Sequence, residues 1–269
     1  MELTALALLA GAWFSVRYAW WRPPVDYRFP RILMYHMIAV PRRGARFNGL
    51  RVRPSAFERQ LRWLRQQGWQ SFTVSELLDA GQQVPEKAFA ITFDDGYADN
   101  LTAALPLLRK YGCKATLYLV VDRFDRDWSV QRKAHHGGGE LRRESKLSDA
   151  QVRELLESGH FELGSHTMTH ANFAHLGNTA VARELQDSKR ELEQRFDVTI
   201  DSFAYPFGIY RPELGELVQQ AGYRSALTTR EGIDPPAQRK PMELRRIKIS
   251  GRDSLFAFKL RIRGGRRGW

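Results

Sequence analysis

Short apolar segments alternate with helical patterns along most of this chain, and that alternation restricts its fold more than any other feature. Apolar runs with the length and composition of buried strands lie at 31–35, 88–93, 115–121, 161–164, 202–206, 223–228 and 244–249. Helical patterns lie at 55–68, 99–112, 148–159, 179–196 and 212–222. Repeated strand–helix units favour a parallel sheet, so we expect an α/β protein with a distorted (β/α) barrel of about seven strands.

The two ends of the chain differ from this central part. An apolar stretch at 3–16 is followed by arginine, tyrosine and tryptophan residues at 17–21, an order typical of a membrane anchor with an aromatic belt. We therefore expect association with the cytoplasmic membrane, on a side that the sequence leaves open. The predicted division is a hydrophobic membrane anchor or uncleaved signal at 1–22, a proline-rich linker at 23–30, a catalytic domain at 31–250 and a basic tail at 251–269.

Basic residues outnumber acidic residues by 42 to 30, which gives a formal net charge of +12. This excess favours anionic partners. The arginines cluster at 42–53 and near the C-terminus instead of alternating with aromatic residues, so we expect no specific nucleic-acid site. An anionic membrane surface fits these clusters better, and ordinary solvation of the protein surface is the alternative interpretation.

One segment, 125–146, is charged, rich in glycine and too long for an ordinary connection between a strand and a helix. We expect a flexible insertion near the mouth of an active site. Its two histidines, His135 and His136, are interpreted as solvated and not as metal ligands.

Two adjacent acids, Asp94 and Asp95, end the apolar run at 88–93 and are followed by Gly96. Functional groups of parallel α/β proteins gather where strands end. Neighbouring side chains there point in different directions, so one carboxylate can bind a metal ion while the other acts as a base. A divalent cation would also offset the repulsion between the two charges.

Further metal ligands are available in the sequence SHTMTH, which follows the apolar run at 161–164. His166 and His170 are four residues apart and would lie on one face if the segment forms a helical turn. One aspartate oxygen and two imidazoles leave a coordination position open, as in a hydrolytic metal site. Zinc is favoured, and nickel, cobalt, manganese or iron fit the same donors. Alone, two such histidines are more often packed side chains, but the acidic pair about 70 residues upstream favours a metal site.

Four segments together resemble one known family: TFDDGYADN, GSHTMTH, FAYPFG and the early ILMYHMI. The chain resembles the polysaccharide deacetylase family, carbohydrate esterase family 4, over roughly residues 30–250, and within it the branch that acts on poly-N-acetylglucosamine. This resemblance implies a distorted (β/α) barrel that uses a metal ion to remove N-acetyl groups from amino sugars. By the same resemblance, Asp94 is the general base, while Asp95, His166 and His170 bind the metal.

The remaining motifs suggest further roles. The resemblance assigns the backbone N–H of Phe207 to the oxyanion, and it places Tyr205 and Pro206 along the substrate groove. The commoner family pattern has a late Leu-x-His motif that supplies the general acid, whereas this chain has LRRIKIS. We therefore expect His36 to be the acid, with a packed histidine as the alternative, and Arg246 to orient Asp94 or a substrate oxyanion.

The predicted function is removal of N-acetyl groups from amino sugars of a polysaccharide or a lipid-linked glycan. A deformylase or an O-acetyl esterase acting on a related glycan is the alternative within the same chemistry. A non-catalytic binder of glycans or anionic membranes is a further alternative, although a binder has no need of the base Asp94.

Overall fold

The computed structural model describes residues 2–128, 138–235 and 238–266. In these residues the strands form one parallel sheet, and a direct pairing of its first and third strands closes it into a barrel. The strands are β1 (Arg31–Tyr35), β2 (Gln70–Phe72), β3 (Ala88–Asp94), β4 (Ala115–Leu119), β5 (Phe161–Ser165), β6 (Ser202–Ala204), β7 (Ser225–Glu231) and β8 (Leu244–Lys248).

Seven of these strands make the closed ring, in the order β1, β8, β7, β6, β5, β4 and β3. The short β2 lies outside the ring. It pairs with residues 88–90 of β3, and β4 pairs with residues 91–94 along the same edge of β3. The ring is irregular, because β6 pairs with β5 at one position and the register shifts between β7 and β8. The predicted distorted (β/α) barrel of about seven strands is therefore confirmed.

Helices cover the outside of the barrel. They are α1 (Glu2–Tyr18), α2 (Pro54–Gln66), α3 (Val74–Ala80), α4 (Leu105–Tyr111), α5 (Asp149–Glu157), α6 (Asn178–Phe196), α7 (Leu214–Gln220) and α8 (Leu255–Gly264). All five helical patterns noted in the sequence are present. A short π-helix, Asn100–Ala104, leads into α4.

The apolar faces of strands and helices form the core. Every residue of β3 is buried, and Phe57, Leu61 and Leu64 of α2 are fully buried against the barrel. Burial of such a side chain contributes about 1.5–3 kcal/mol. This packing fixes β3, whose last residue is Asp94, at the centre of the structure.

We call the end of the barrel where the strands terminate the mouth. Two long connections lie there: the first mouth loop, 36–53, joins β1 to α2, and the second mouth loop, 120–148, joins β4 to α5. The guanidinium of Arg51, which is fully buried, links them by donating to Glu140 at 2.7 Å and to Glu144 at 2.6 Å. The described part of the predicted insertion at 125–146 therefore lies at the mouth and is held there by ion pairs. His135 and His136 lie outside the described residues.

The N-terminal region contacts the barrel through α8. Phe14 and Tyr18 of α1 pack on the ring of Phe256, and Arg31 binds the carbonyl oxygens of residues 25, 26 and 29 of the proline-rich segment. Among the helices of the described residues, none combines the length and apolar character needed to cross a membrane. The segment 251–269, expected as a basic tail, contains α8, whose Phe258 is buried in the core.

Candidate metal centre and active site

The backbone at the end of β3 separates the two adjacent carboxylates. Asp94 is the last strand residue, whereas Asp95 has a positive φ of 78° and donates its N–H to the carbonyl of Tyr118 at 3.1 Å. Gly96 follows with φ 76°, and a Cβ atom there would lie 2.4 Å from Leu119 Cδ1. This tight turn requires glycine, and it directs the two carboxylates to different partners.

Asp95, His166 and His170 converge at the mouth, and we call them the metal triad. Asp95 Oδ1 lies 3.4 Å from His166 Nε2 and 3.3 Å from His170 Nε2, and one potential ligand atom from each residue lies within 4.8 Å of the other two. All three side chains are buried. The donor set of two imidazoles and one carboxylate fits a divalent cation with positions left open for other ligands.

Protonation of the triad also suits metal binding. His166 Nδ1 lies 2.7 Å from the carbonyl oxygen of Ala204, which can only accept, so Nδ1 donates this hydrogen bond and leaves Nε2 facing Asp95 Oδ1. Burial alone would raise the pKa of Asp95, but hydrogen bonds with His166 and His170 outweigh burial and hold the pKa well below its usual value. The carboxylate is therefore ionised.

The segment that carries the two histidines is not a helical turn, so the condition for their sharing one helical face is not met. Thr167 has φ 73° and His170 has φ 57°, and these left-handed conformations fold the segment into an irregular turn. Glu184 of α6 holds the turn by accepting hydrogen bonds from the backbone N–H groups of Met168 and Thr169, at 2.9 and 3.1 Å. The histidines converge because of this turn and not because of helical spacing.

Aromatic rings fix the orientation of His170. Its ring centroid lies 4.7 Å from that of Trp128 and 4.5 Å from that of Phe207. His170 Nδ1 is buried and has no hydrogen-bond partner among the described residues. On its Nδ1 side, therefore, this imidazole is held by packing against the two rings and not by a hydrogen bond.

Asp94 forms a bidentate ion pair with Arg246. Arg246 Nη1 donates to Oδ1 at 2.7 Å and Nη2 donates to Oδ2 at 2.8 Å. Arg246 also donates to Thr92 Oγ1 and to the carbonyl of Thr228, and it is fully buried. Burial would raise the pKa of Asp94, but the positive charge of Arg246 contributes most to lowering it below its usual value. Asp94 is thus a fixed, ionised carboxylate.

His36 directly follows β1 and lines the same pocket. Its side chain is half-buried, and its backbone carbonyl accepts a hydrogen bond from Asn100 Nδ2 at 2.9 Å. Burial lowers the pKa of His36, while the carboxylates of Asp95 and Asp94 act in the opposite direction.

The segment after β6 forms another wall of the pocket. The hydroxyl of Tyr205 donates to the carbonyl of Met242 at 3.1 Å, and Pro206 begins a single 3-10 turn. Phe207 adopts a left-handed conformation with φ 59°, which brings its ring against His170. Gly208 is required next, because a Cβ atom there would lie 1.8 Å from Thr229 Oγ1.

These groups surround one cavity of about 210 Å³. Of the predicted residues, Asp94, Asp95, His36, His166, His170, Tyr205 and Phe207 line it. Pro206 and Arg246 are buried next to lining residues, since Pro206 lies between Tyr205 and Phe207 and Arg246 binds Asp94. The structure therefore brings all the predicted site residues together at the mouth.

Sequence reasoning missed several residues that line the cavity. Phe47 and Leu50 come from the first mouth loop, and Trp128 and Leu141 come from the second. In the sequence, only the unusual length of the second loop indicated that these loops lie near the active site. Lys248 also lines the cavity. It lies two residues after Arg246 on β8, and alternate residues of a strand point to the same face, so the sequence could have predicted its position.

Comparison with known proteins extends over most of the chain. The sequence model of the polysaccharide deacetylase family matches residues 81–226. YxkH of Bacillus subtilis (strain 168), which carries polysaccharide deacetylase in its name, is 31% identical over 243 residues, or 89% of this chain and 78% of that protein. The poly-beta-1,6-N-acetyl-D-glucosamine N-deacetylase of Escherichia coli (strain K12) is 27% identical, over 78% of this chain but only 35% of that protein.

Solved structures of similar proteins share the barrel. A polysaccharide deacetylase from Bacillus cereus superposes with a TM-score of 0.72 and 27% identity, over 87% of this chain and 69% of that one. A Streptococcus pyogenes deacetylase in complex with acetate gives a TM-score of 0.71 and 25% identity, over 88% of this chain and 97% of that one. The family match at 81–226 includes the metal triad and Asp94, whereas His36 and Arg246 lie outside it.

Proposed function

This chain belongs to the polysaccharide deacetylase family, and on that basis we propose that it removes N-acetyl groups from amino sugars of a glycan with the help of one divalent metal ion. The reaction adds water across the acetamide C–N bond and releases acetate and a free amine. The observation that carries this proposal is the buried metal triad beside an ionised carboxylate, Asp94, that is bound to Arg246.

The metal triad would hold the cation. A divalent cation bound there supplies Lewis acidity to the reacting carbonyl and to a water molecule. Zinc is the favoured ion, and nickel, cobalt, manganese and iron share the preference for two imidazoles and one carboxylate. The buried Nε2 atoms of His166 and His170, both facing Asp95 Oδ1, support this assignment.

The residues around the triad would divide the proton transfers and the binding of the substrate. Asp94 is ionised and immobilised by Arg246, so it serves as the base that accepts a proton from water. The backbone N–H of Phe207 would donate to the oxyanion, and Tyr205 would shape the groove. His36 is the proposed acid, because an amine leaves poorly as an anion and His36 lines the same cavity.

The proposed substrate is an N-acetylated polysaccharide or a lipid-linked sugar. Similarity to a protein named for poly-beta-1,6-N-acetyl-D-glucosamine makes an N-acetylglucosamine polymer the first candidate to assay. We also propose that the protein associates with the cytoplasmic membrane through its N-terminal region. The apolar, exposed α1 and the net charge of +12 support this location.

The proposal is tested by measuring acetate release from N-acetylated oligosaccharides and lipid-linked sugars. The enzyme is assayed as purified, after removal of metal with a chelator, and after addition of each candidate ion. We expect acetate from an amide substrate, loss of activity on chelation and recovery with zinc. Formate release would instead identify a deformylase, and release of acetate only from esters would identify an esterase. No turnover of any substrate by the metal-loaded protein would contradict an enzymatic role.

A further inference from the structure

Helix α8 runs from the mouth of the barrel to the opposite end. Contacts with α8 therefore show in which direction helix α1 runs. Just before α8, Gly251 donates its N–H to the carbonyl of Gly49 in the first mouth loop, at 3.0 Å. In the last turn of α8, the carbonyl of Ile262 accepts from Arg31 Nε at 3.0 Å, and Arg31 is the first residue of β1. The first turn of α8 thus lies near the mouth, and its last turn lies at the far end.

Helix α1 runs back along α8 towards the mouth. The carbonyl of Trp20 accepts from Arg263 in the last turn of α8, at 2.9 Å. The rings of Tyr18 and Phe14 lie 5.5 and 5.9 Å from Phe256, in the first turn of α8. The preceding part of α1, from Glu2 to residue 13, therefore extends roughly 18 Å further in the direction of the mouth, at 1.5 Å per residue.

This extended part of α1 is apolar on every side and exposed. Residues 4–14 are all exposed, and Leu8 and Trp13 are 71% and 64% accessible. A helix that is hydrophobic all round is normally buried in protein or in a membrane. Large exposed apolar surfaces mark contacts with partners or lipids.

The mouth loops carry the other features of a lipid-binding surface. Val40 and Phe124 are 57% and 50% exposed, and they lie on the two loops that line the catalytic cavity. Residues 36–53, which form the first of these loops, contain five arginines and no acidic residue. Arg51 is buried, whereas the other four are exposed, and of these Arg42 pairs with Glu144 of the second loop at 2.8 Å. Exposed apolar side chains beside arginines suit the boundary between headgroups and acyl chains of an anionic bilayer.

From these observations we propose that the chain docks on an anionic lipid bilayer with the mouth of the barrel facing the membrane. The docking surface consists of residues 4–14 of α1, Val40, Phe124 and the arginines at 42, 43 and 46. This inference rests on the membrane association proposed above and adds its orientation. The cavity would then face amino sugars close to the headgroups, which favours lipid-linked or membrane-proximal glycans over a polymer distant from the membrane.

Labelling of the full-length chain tests the orientation. The only cysteine of the chain, Cys113, is buried, and burial raises the pKa of its thiol to about 11, so an introduced surface cysteine can be labelled selectively. An environment-sensitive fluorophore is placed at Val40→Cys or Phe124→Cys. The matched control is Gln67→Cys, an exposed position beside the start of β2 at the opposite end of the barrel.

Vesicles of phosphatidylcholine, with and without phosphatidylglycerol, are then added. We expect binding to the anionic vesicles, weakened by salt, with a blue shift of the fluorophore at positions 40 and 124 and no shift at 67. Loss of one basic charge, Arg43→Gln, should weaken binding about fivefold, since each arginine near an anionic surface contributes about 1 kcal/mol. Arg109→Gln, in the last turn of α4, removes an exposed charge at the opposite end and should have a smaller effect.

The outcomes separate the inference from the enzymatic proposal. A blue shift at position 67 with none at 40 and 124 would overturn the orientation and leave membrane association standing. Failure to bind either kind of vesicle would overturn both the orientation and the association. Neither result affects the deacetylase proposal, because acetate release from soluble oligosaccharides requires no membrane.

Discussion

The ion pair between Asp94 and Arg246 shows how single residues set the chemistry of this site. Both carboxylate oxygens accept from the guanidinium, at 2.7 and 2.8 Å, in a buried setting. Buried ion pairs often contribute little to stability, because removing both charges from water is costly. Fixing an ionised carboxylate beside the metal triad is therefore the better explanation of this pair.

Asp94→Asn should retain metal and lose turnover. The amide is nearly isosteric with the carboxylate but cannot accept a proton as a base, so we expect a fall in kcat of about 10²–10⁴-fold. Steady-state kinetics and metal content measure the two effects. Asp253→Asn is the control, since it disturbs a carboxylate that pairs with Arg261 at 3.0 Å and does not line the cavity. Near-normal turnover of Asp94→Asn would exclude Asp94 as the base.

His36→Gln should affect amide and ester substrates differently. An amine leaving group needs a proton and an activated phenyl ester does not, so loss of the acid should slow only amide cleavage, by about 10²-fold. The ratio of kcat/KM for acetamide and acetate-ester substrates measures this difference. Equal losses on both substrates would instead mean that His36 positions the substrate or packs the cavity wall.

At the scale of elements, one glycine controls the shape of the wall after β6. Gly208→Ala would place a Cβ atom 1.8 Å from Thr229 Oγ1 at a φ of 66°, so both a clash and backbone strain arise. Gly159→Ala provides the matched control, because Gly159 has φ 70° and no atom within 4 Å of the added Cβ. The control should lose about 1–2 kcal/mol from the left-handed conformation alone.

Gly208→Ala should lose more, about 3 kcal/mol or above, and should also reduce activity by displacing Phe207. Chemical denaturation measures the free energy of unfolding of both variants, and acetate release measures their activity. Equal destabilisation of the two variants would show that the turn shifts to relieve the clash with Thr229, leaving only the backbone strain that the control also has.

The sequence predicted elements well where burial dictates the pattern. All seven ring strands were found, because a strand covered on both faces of a parallel sheet is a continuous apolar run. β2 was missed, since Gln70–Phe72 is three residues long and partly exposed. Helix α2 was placed correctly, but it begins at Pro54, whose fixed φ suits the first helical turn.

The candidate site was also predicted in large part, for a comparable reason. Asp94, Asp95 and His36 stand at or directly after strand ends, and parallel strands end at one mouth. The turn that joins His166 to His170 was not predicted, because it depends on Glu184 from α6, a contact distant in the sequence. Trp128 was missed because its position depends on how a long loop folds back over the cavity.

On the scale of the whole molecule, a metal ion would tie β3 to the turn after β5. A ligand that binds only the folded state stabilises it by about 2.7 kcal/mol at a concentration of 100 times Kd. For a chain of this size, that corresponds to a rise in Tm of about 5–10 °C. Calorimetry with and without zinc tests this, and His166→Ala should show no such rise. An equal rise in that variant would mean that the ion binds elsewhere.

The most direct test of the account is the metal stoichiometry of the purified protein after loading with zinc and exhaustive dialysis, measured by elemental analysis. We predict one ion per chain in the wild type and in Asp94→Asn, and close to none in Asp95→Ala, His166→Ala and His170→Ala. Retention of one ion per chain by the folded triad variants would contradict it.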